Sequence, residues 1–156
     1  MPGQPEGRIR TMSTGLSLLR SVVGSLEQAG FAVLVFGGWA EELHGLVARK
    51  AHQDIDLMLI DPDDVVLEAF LDARGEIVAK RASHKRAFEV DGALVELFIA
   101  RSEGGRHVTY FWDQVRWVWP TDDPVSVAGV RLASRAALDD YRNSWGVIHA
   151  GRASPD

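Results

Sequence analysis

Asp54-Ile55-Asp56-Leu57 sets two carboxylates two residues apart in a run, Asp54 to Ile60, that otherwise reads as a strand. Side chains alternate along a strand, so Asp54 and Asp56 share one face while Ile55, Leu57 and Leu59 cover the other. Two carboxylates so close repel one another, and a divalent cation between them relieves this; hard oxygen ligands suit magnesium. A solvated strand end would carry the same pattern. Glu96 is the only charged residue in the apolar run Ala93-Leu-Val-Glu-Leu-Phe-Ile-Ala100. Buried unpaired, it would be costly, so it must meet water, a cation or a metal, unless its strand lies at an edge and faces solvent. Glu89 and Asp91 are rivals for a third carboxylate, although a turn already accounts for Asp91. Gly37-Gly38 follows an apolar run, where glycines let a phosphate approach the backbone and free N–H groups favour an anion. An ordinary strand-to-helix turn would look the same, and neither a P-loop nor a Gly-x-Gly-x-x-Gly pattern is present.

These residues need elements to hold them. Met1 to Arg10 reads as a loose tail. Leu16, Leu18, Leu19, Val22, Val23 and Leu26 fall at helical spacing from Thr11 to a stop at Gly30. Phe31 to Phe36 is a buried strand, Trp39 to Leu46 a short helix and Asp54 to Ile60 a second strand. Pro62, Asp63 and Asp64 open a helix that runs to Gly75. Glu76 to Lys80, His84 to Val90 and Ala93 to Ala100 read as strands. Asp91-Gly92 joins the last two as a hairpin, since a type I′ turn needs positive φ at both central residues. Arg101 to His107 is a loop, Val108 to Trp119 is aromatic-rich without a clear period, and Val125 to Leu132 is a short hairpin. Ser134 caps a helix through Leu138 and Tyr141 to Trp145, and 146–156 reads as a frayed tail. The order α-β-α-β-α-β-β-β-α predicts one α/β (α+β) domain over 11–145, with a mixed sheet flanked by helices.

The 156 residues, 46% of them hydrophobic and 25% charged, suit a single folded domain and exclude wholesale disorder. With 22 acidic against 17 basic side chains the net charge is −5, which argues against a general nucleic-acid binder. Without cysteine there is no disulfide, thiolate chemistry or cysteine-based metal site. No apolar run is long enough to span a membrane, and the first residues lack the apolar core of a signal peptide, so a cytoplasmic domain is expected.

Gly37-Gly38-Trp39-Ala40, then Arg49, Lys50 and His52, then Asp54-Ile-Asp56-Leu together resemble the active-site signature of the nucleotidyltransferase superfamily with the DNA polymerase β-type fold. Within it the stretch looks most like the small aminoglycoside 2″-adenylyltransferases and lincosamide nucleotidyltransferases. Val95-Glu96-Leu97 is similar to the strand bearing that family's third carboxylate, and Gly129-Val-Arg-Leu-Ala-Ser134 to its C-terminal segment. Two departures stand out: Glu96 replaces the more common Asp and reaches one methylene further, and Lys50-Ala-His52 stands for Arg-x-His, with Arg49 one place earlier.

The resemblance implies transfer of a nucleoside monophosphate, AMP from ATP above all, to a hydroxyl of a small molecule, an aminoglycoside or lincosamide antibiotic. It implies Asp54, Asp56 and Glu96 as catalytic residues and magnesium ligands, with Glu96 also the candidate base, and Gly37, Gly38, Arg49, Lys50 and His52 as nucleotide-binding. The implied partners are a nucleoside triphosphate and a hydroxylated acceptor, with a homodimer compatible with so short a chain. A toxin-like or regulatory transferase modifying protein or tRNA, and a catalytically silent nucleotide-binding module, are the rival readings. Trp112, Trp117 and Trp119 beside Tyr110 could line an acceptor cleft, although packing explains them as well. Asp122-Asp123 could receive a cationic acceptor or simply form a turn before Pro124.

Overall fold

A computed structural model describes residues 3–150, with side chains from 15 onward. Helix α1 (Gly3–Gln28) leads into β1 (Ala32–Phe36), α2 (Gly37–Leu43), β2 (Asp54–Ile60) and α3 (Asp64–Arg74). A single 3-10 turn, Val78–Lys80, precedes β3 (Lys85–Val90), β4 (Ala93–Glu103), β5 (Arg106–Phe111) and β6 (Val115–Val118). Strands β7 (Val125–Val127) and β8 (Val130–Leu132) and helices α4 (Arg135–Asn143) and α5 (Trp145–Ala150) complete the chain.

Among the described residues eight strands form one mixed sheet, ordered β6-β5-β4-β2-β1-β8-β7, with β3 also paired to β4. The β2–β4 and β1–β8 pairs are parallel and the rest antiparallel. Strand β4 is therefore interior, bordered by β2 on one side and by β3, then β5, on the other, which removes the edge-strand alternative for Glu96. The Asp91-Gly92 turn forms as expected, with φ of 49° and 81°.

One face of the central strands is apolar: Val33, Val35, Ile55, Leu57, Leu59, Val95 and Leu97 are all buried. Helix α3 closes on it through Phe70, whose ring meets Phe88 edge-on at 5.8 Å. Asp63 caps α3 by accepting from the Val66 N–H, and Gly75 ends it in the left-handed conformation. The other face carries Phe36, Asp56 and Glu96, and α4 lays Tyr141 over Phe36 at 5.4 Å.

Three sequence expectations change. Glu76 to Lys80 is not a strand. The Glu76 carboxylate takes hydrogen bonds from Arg86 and Arg81, only the Ile77 N–H reaches β3 (at the Ala87 carbonyl, 2.8 Å), and the chain curls into the 3-10 turn. The aromatic stretch resolves into β5 and β6, and β4 continues to Glu103 through the expected loop. Helix α1 takes in residues 3–10, and α5 takes in 146–150 with Ile148 fully buried; 151–156 lie outside the described residues. No helix among the described residues is long and apolar enough to cross a membrane.

Arg86, 8% exposed, holds Glu76 and Glu68 together on the apolar face, opposite Leu97. Replacing it with Met leaves Glu68 and the buried Glu76 side chain to share Arg81 alone. The expected loss is about 3 kcal/mol, or roughly 10 °C in Tm, read from a thermal melt.

Candidate active site

The carboxylates meet because of strand register. In the parallel β2–β4 pair Asp56 lies opposite Glu96 and Asp54 opposite Leu94, so all three acids project from one face across neighbouring strands. Asp54 is exposed, while Asp56 and Glu96 are partly buried. Burial, with Glu96 and Asp54 beside it, pushes the Asp56 carboxyl up from 3.8 to about 7, and Asp56 shares a hydrogen bond with Glu96. Glu96 is also held from β3, where Lys85 Nζ stands 3.0 Å from its Oε2.

Gly37 fixes the other side of Asp56. It follows Phe36, which pairs with Asp56 across β1–β2, and turns into α2 at φ +61°. A side-chain carbon at position 37 would run into the Asp56 carboxylate and stand 2.9 Å from its Cβ, so glycine is needed for contact as well as for conformation. Gly38 packs on His52, whose Nδ1 would lie 3.3 Å from a Cβ there.

His52 organises the loop rather than the acids. Its Nε2 donates to Glu42 at 2.8 Å, and its ring lies over Trp39 with centroids 4.3 Å apart. Glu42 also accepts the Lys50 backbone N–H at 2.9 Å. Burial works against the Glu42 charge, but these donors outweigh it and hold its carboxyl below the usual range. Arg49 and Lys50 are exposed and line a cleft of about 130 Å³ with Trp39, Glu42 and His52, which the carboxylates and Gly37-Gly38 do not border. Glu42→Ala is expected to cost about 2 kcal/mol and to speed amide exchange over residues 44–53, read by hydrogen–deuterium exchange.

A second cleft of about 240 Å³ opens directly on Gly37 and Gly38 and is walled by Tyr141 and Trp145, with the Glu41–Arg142 ion pair at its rim. Burial, then Asp56 and Glu96, push the Tyr141 hydroxyl up to about 12, so it stays protonated and able to donate toward the acids. Trp119 is 4% exposed and gives its indole N–H to Thr109 at 2.8 Å, Tyr110 bonds Glu103, and Trp117 packs against the core. Asp122 and Asp123 border a pocket of about 170 Å³ whose floor includes Leu34, Met58 and Ile60, further along the strand face that carries Asp56.

The residues that pattern alone did not single out are Lys85, Glu42 and Tyr141. Asp54 and Asp56 offer hard oxygens on one face, with Asp56 raised by burial first and then by Glu96 and Asp54, and that donor chemistry fits a divalent cation. Among the described residues, however, no group of three His, Asp or Glu side chains is arranged to hold a metal. Glu96 is turned to Lys85 instead.

No protein-family model matches the chain, and no curated protein matches it significantly. Solved structures do. The crystal structure of ANT(2″)-Ia in complex with adenylyl-2″-tobramycin superposes with a TM-score of 0.60 at 20% identity, covering 91% of this chain and 82% of that one. The lincosamide antibiotic adenylyltransferase LnuA, lincomycin-bound, gives 0.65 at 12% identity, covering 81% and 85%. The chain has the nucleotidyltransferase fold. A Thermotoga maritima protein, TM1012, shares that fold with a TM-score of 0.58 at 18% identity over 88% of each chain. The expected mixed sheet flanked by helices is thus the sheet of a nucleotidyltransferase fold, with the acids of β2 and β4 on its open face.

Proposed function

We propose that this chain is a magnesium-dependent nucleotidyltransferase that moves AMP from ATP onto a hydroxyl of a small molecule, such as an aminoglycoside or a lincosamide. The observation that carries the reading is the register of Asp56 against Glu96, with Asp54 on the same face and Gly37 closed on the Asp56 side chain. The fold it shares with ANT(2″)-Ia and LnuA supports the same kind of reaction.

Asp54 and Asp56 would hold magnesium, which when bound neutralises charge on the triphosphate. Gly37 and Gly38, bare of side chains, would let the phosphates lie against the backbone. Glu96 accepts the proton of the acceptor hydroxyl as its oxygen attacks the α-phosphorus; the α–β bridging bond breaks and pyrophosphate leaves. Tyr141, kept protonated, and Trp145 line the cleft through which the acceptor approaches.

The test is a screen of aminoglycosides and lincosamides with ATP and with GTP, following pyrophosphate release. The expected result is release that depends on both magnesium and one of these acceptors. Total RNA and total protein run beside them; label arriving there instead would favour the toxin-like reading, and no release with any acceptor would favour a silent module.

A further inference from the structure

The cation on the carboxylate face comes from the hairpin. Strand β3 pairs Ala87 with Glu96 and Lys85 with Phe98, so Lys85 stands on the same face as Glu96, one diagonal step away. Its ammonium reaches back 3.0 Å to Glu96 Oε2, and both side chains are largely covered, 24% and 16% exposed. Arg86, next in sequence, projects to the other face, where Glu68 and Glu76 take it up. The Lys85 ammonium thus stays on the side of the acids. With the Lys85 ammonium on one oxygen, the Glu96 carboxylate already has a cation of its own and is held toward β3.

We propose that Lys85 is a positioning residue that reserves Glu96 for proton transfer: it pins the carboxylate beside Asp56 and keeps a cation bound at Asp54 and Asp56 from drawing Glu96 in as a further ligand. This rests on the transferase reading above and adds to it the side chain that keeps the three acids to their roles. Two would bind the cation and one would take the proton, as that reading has it, with Lys85 holding the third acid in place.

The experiment compares the full chain with Lys85→Met, Lys85→Gln and Lys85→Arg. Manganese is titrated into each by electron paramagnetic resonance without nucleotide, and kcat and KM for ATP are then measured with the acceptor that supports pyrophosphate release. Removing the charge is expected to tighten manganese binding about tenfold, because a repelling cation is gone and Glu96 is released to the metal. It is also expected to lower kcat about a hundredfold with KM for ATP within about twofold. Lys85→Arg keeps the ion pair and should restore both to within about threefold of the parent. Manganese affinity unchanged in both uncharged variants overturns the proposal, as does a parental kcat in either, or a Lys85→Arg variant as impaired as Lys85→Met. A parent chain that transfers nothing from ATP would sink the transferase reading, and the manganese titration would still decide the part played by Lys85.

Discussion

Asp56→Asn is expected to lower nucleotidyl transfer about a thousandfold or more while leaving the fold intact. The substitution keeps size and shape but removes the charge that would anchor the cation, on a residue with Glu96 opposite and Gly37 against its side chain. The same variant carries a second, independent signature. The Asp56 carboxyl holds its proton more tightly folded, at about 7, than its ordinary 3.8. Its contribution to stability is therefore complete below pH 4 and lost as pH rises through 7. Asparagine cannot ionise and escapes that loss. In EDTA, the variant should melt about 5 °C above the parent at pH 8 and level with it at pH 4. Equal melting at both pH values would mean that the acids are not crowded, and full activity in the variant would remove Asp56 from the chemistry.

Gly37→Ala should be nearly as damaging, by geometry rather than charge. A φ of +61° costs an L-residue about 1–2 kcal/mol, and the added carbon would collide with the Asp56 carboxylate besides. Either β2 or the carboxylate must move, and misplacing a reacting group by about 1 Å can cost a hundredfold in rate. We expect transfer to fall at least about a hundredfold and stability by about 3 kcal/mol. Gly45→Ala separates strain from collision. Its φ is +78° with nothing within 4 Å of the added carbon, so it should lose about 1 kcal/mol and keep activity within about twofold. Steady-state rates and melts of the two variants, side by side, give the answer; a Gly37→Ala enzyme no worse than Gly45→Ala would mean that the Asp56 side chain is not held where this account needs it.

Much of this site is legible in sequence because strand periodicity is strict. Alternation alone puts Asp54 and Asp56 on one face, and a charged residue amid an apolar strand marks Glu96. Lys85 was legible too, although pattern reading passes over it. The two-residue Asp91-Gly92 turn pairs Val90 with Ala93, hence Ala87 with Glu96, leaving Lys85 on that face. Loops have no such arithmetic. Arg49 and Lys50 sit beside the acidic motif in sequence, but the hydrogen bonds that Glu42 makes to Lys50 N and His52 shape their loop around a separate cleft. Glu76 to Lys80 has strand-like residues, yet the pull of two arginines on Glu76 decides its conformation, and Arg81 and Arg86 lie outside the run that the pattern is read from. Tyr141 lies over Phe36 only because β8 pairs with β1 and aims α4 across the open face, a long-range pairing that no local pattern announces.

In the proposed reaction the α-phosphoryl group, with its nucleoside, leaves ATP for an acceptor hydroxyl under the control of the β2 and β4 acids. It is tested most directly by running parallel reactions with ATP labelled at the α- or the γ-phosphorus, with and without magnesium, on the parent and on Asp56→Asn. The acceptor should gain the α-label and the γ-label should leave in pyrophosphate, only with magnesium and only in the parent. Transfer of the γ-label to the acceptor, or α-label transfer that survives in Asp56→Asn, would contradict it.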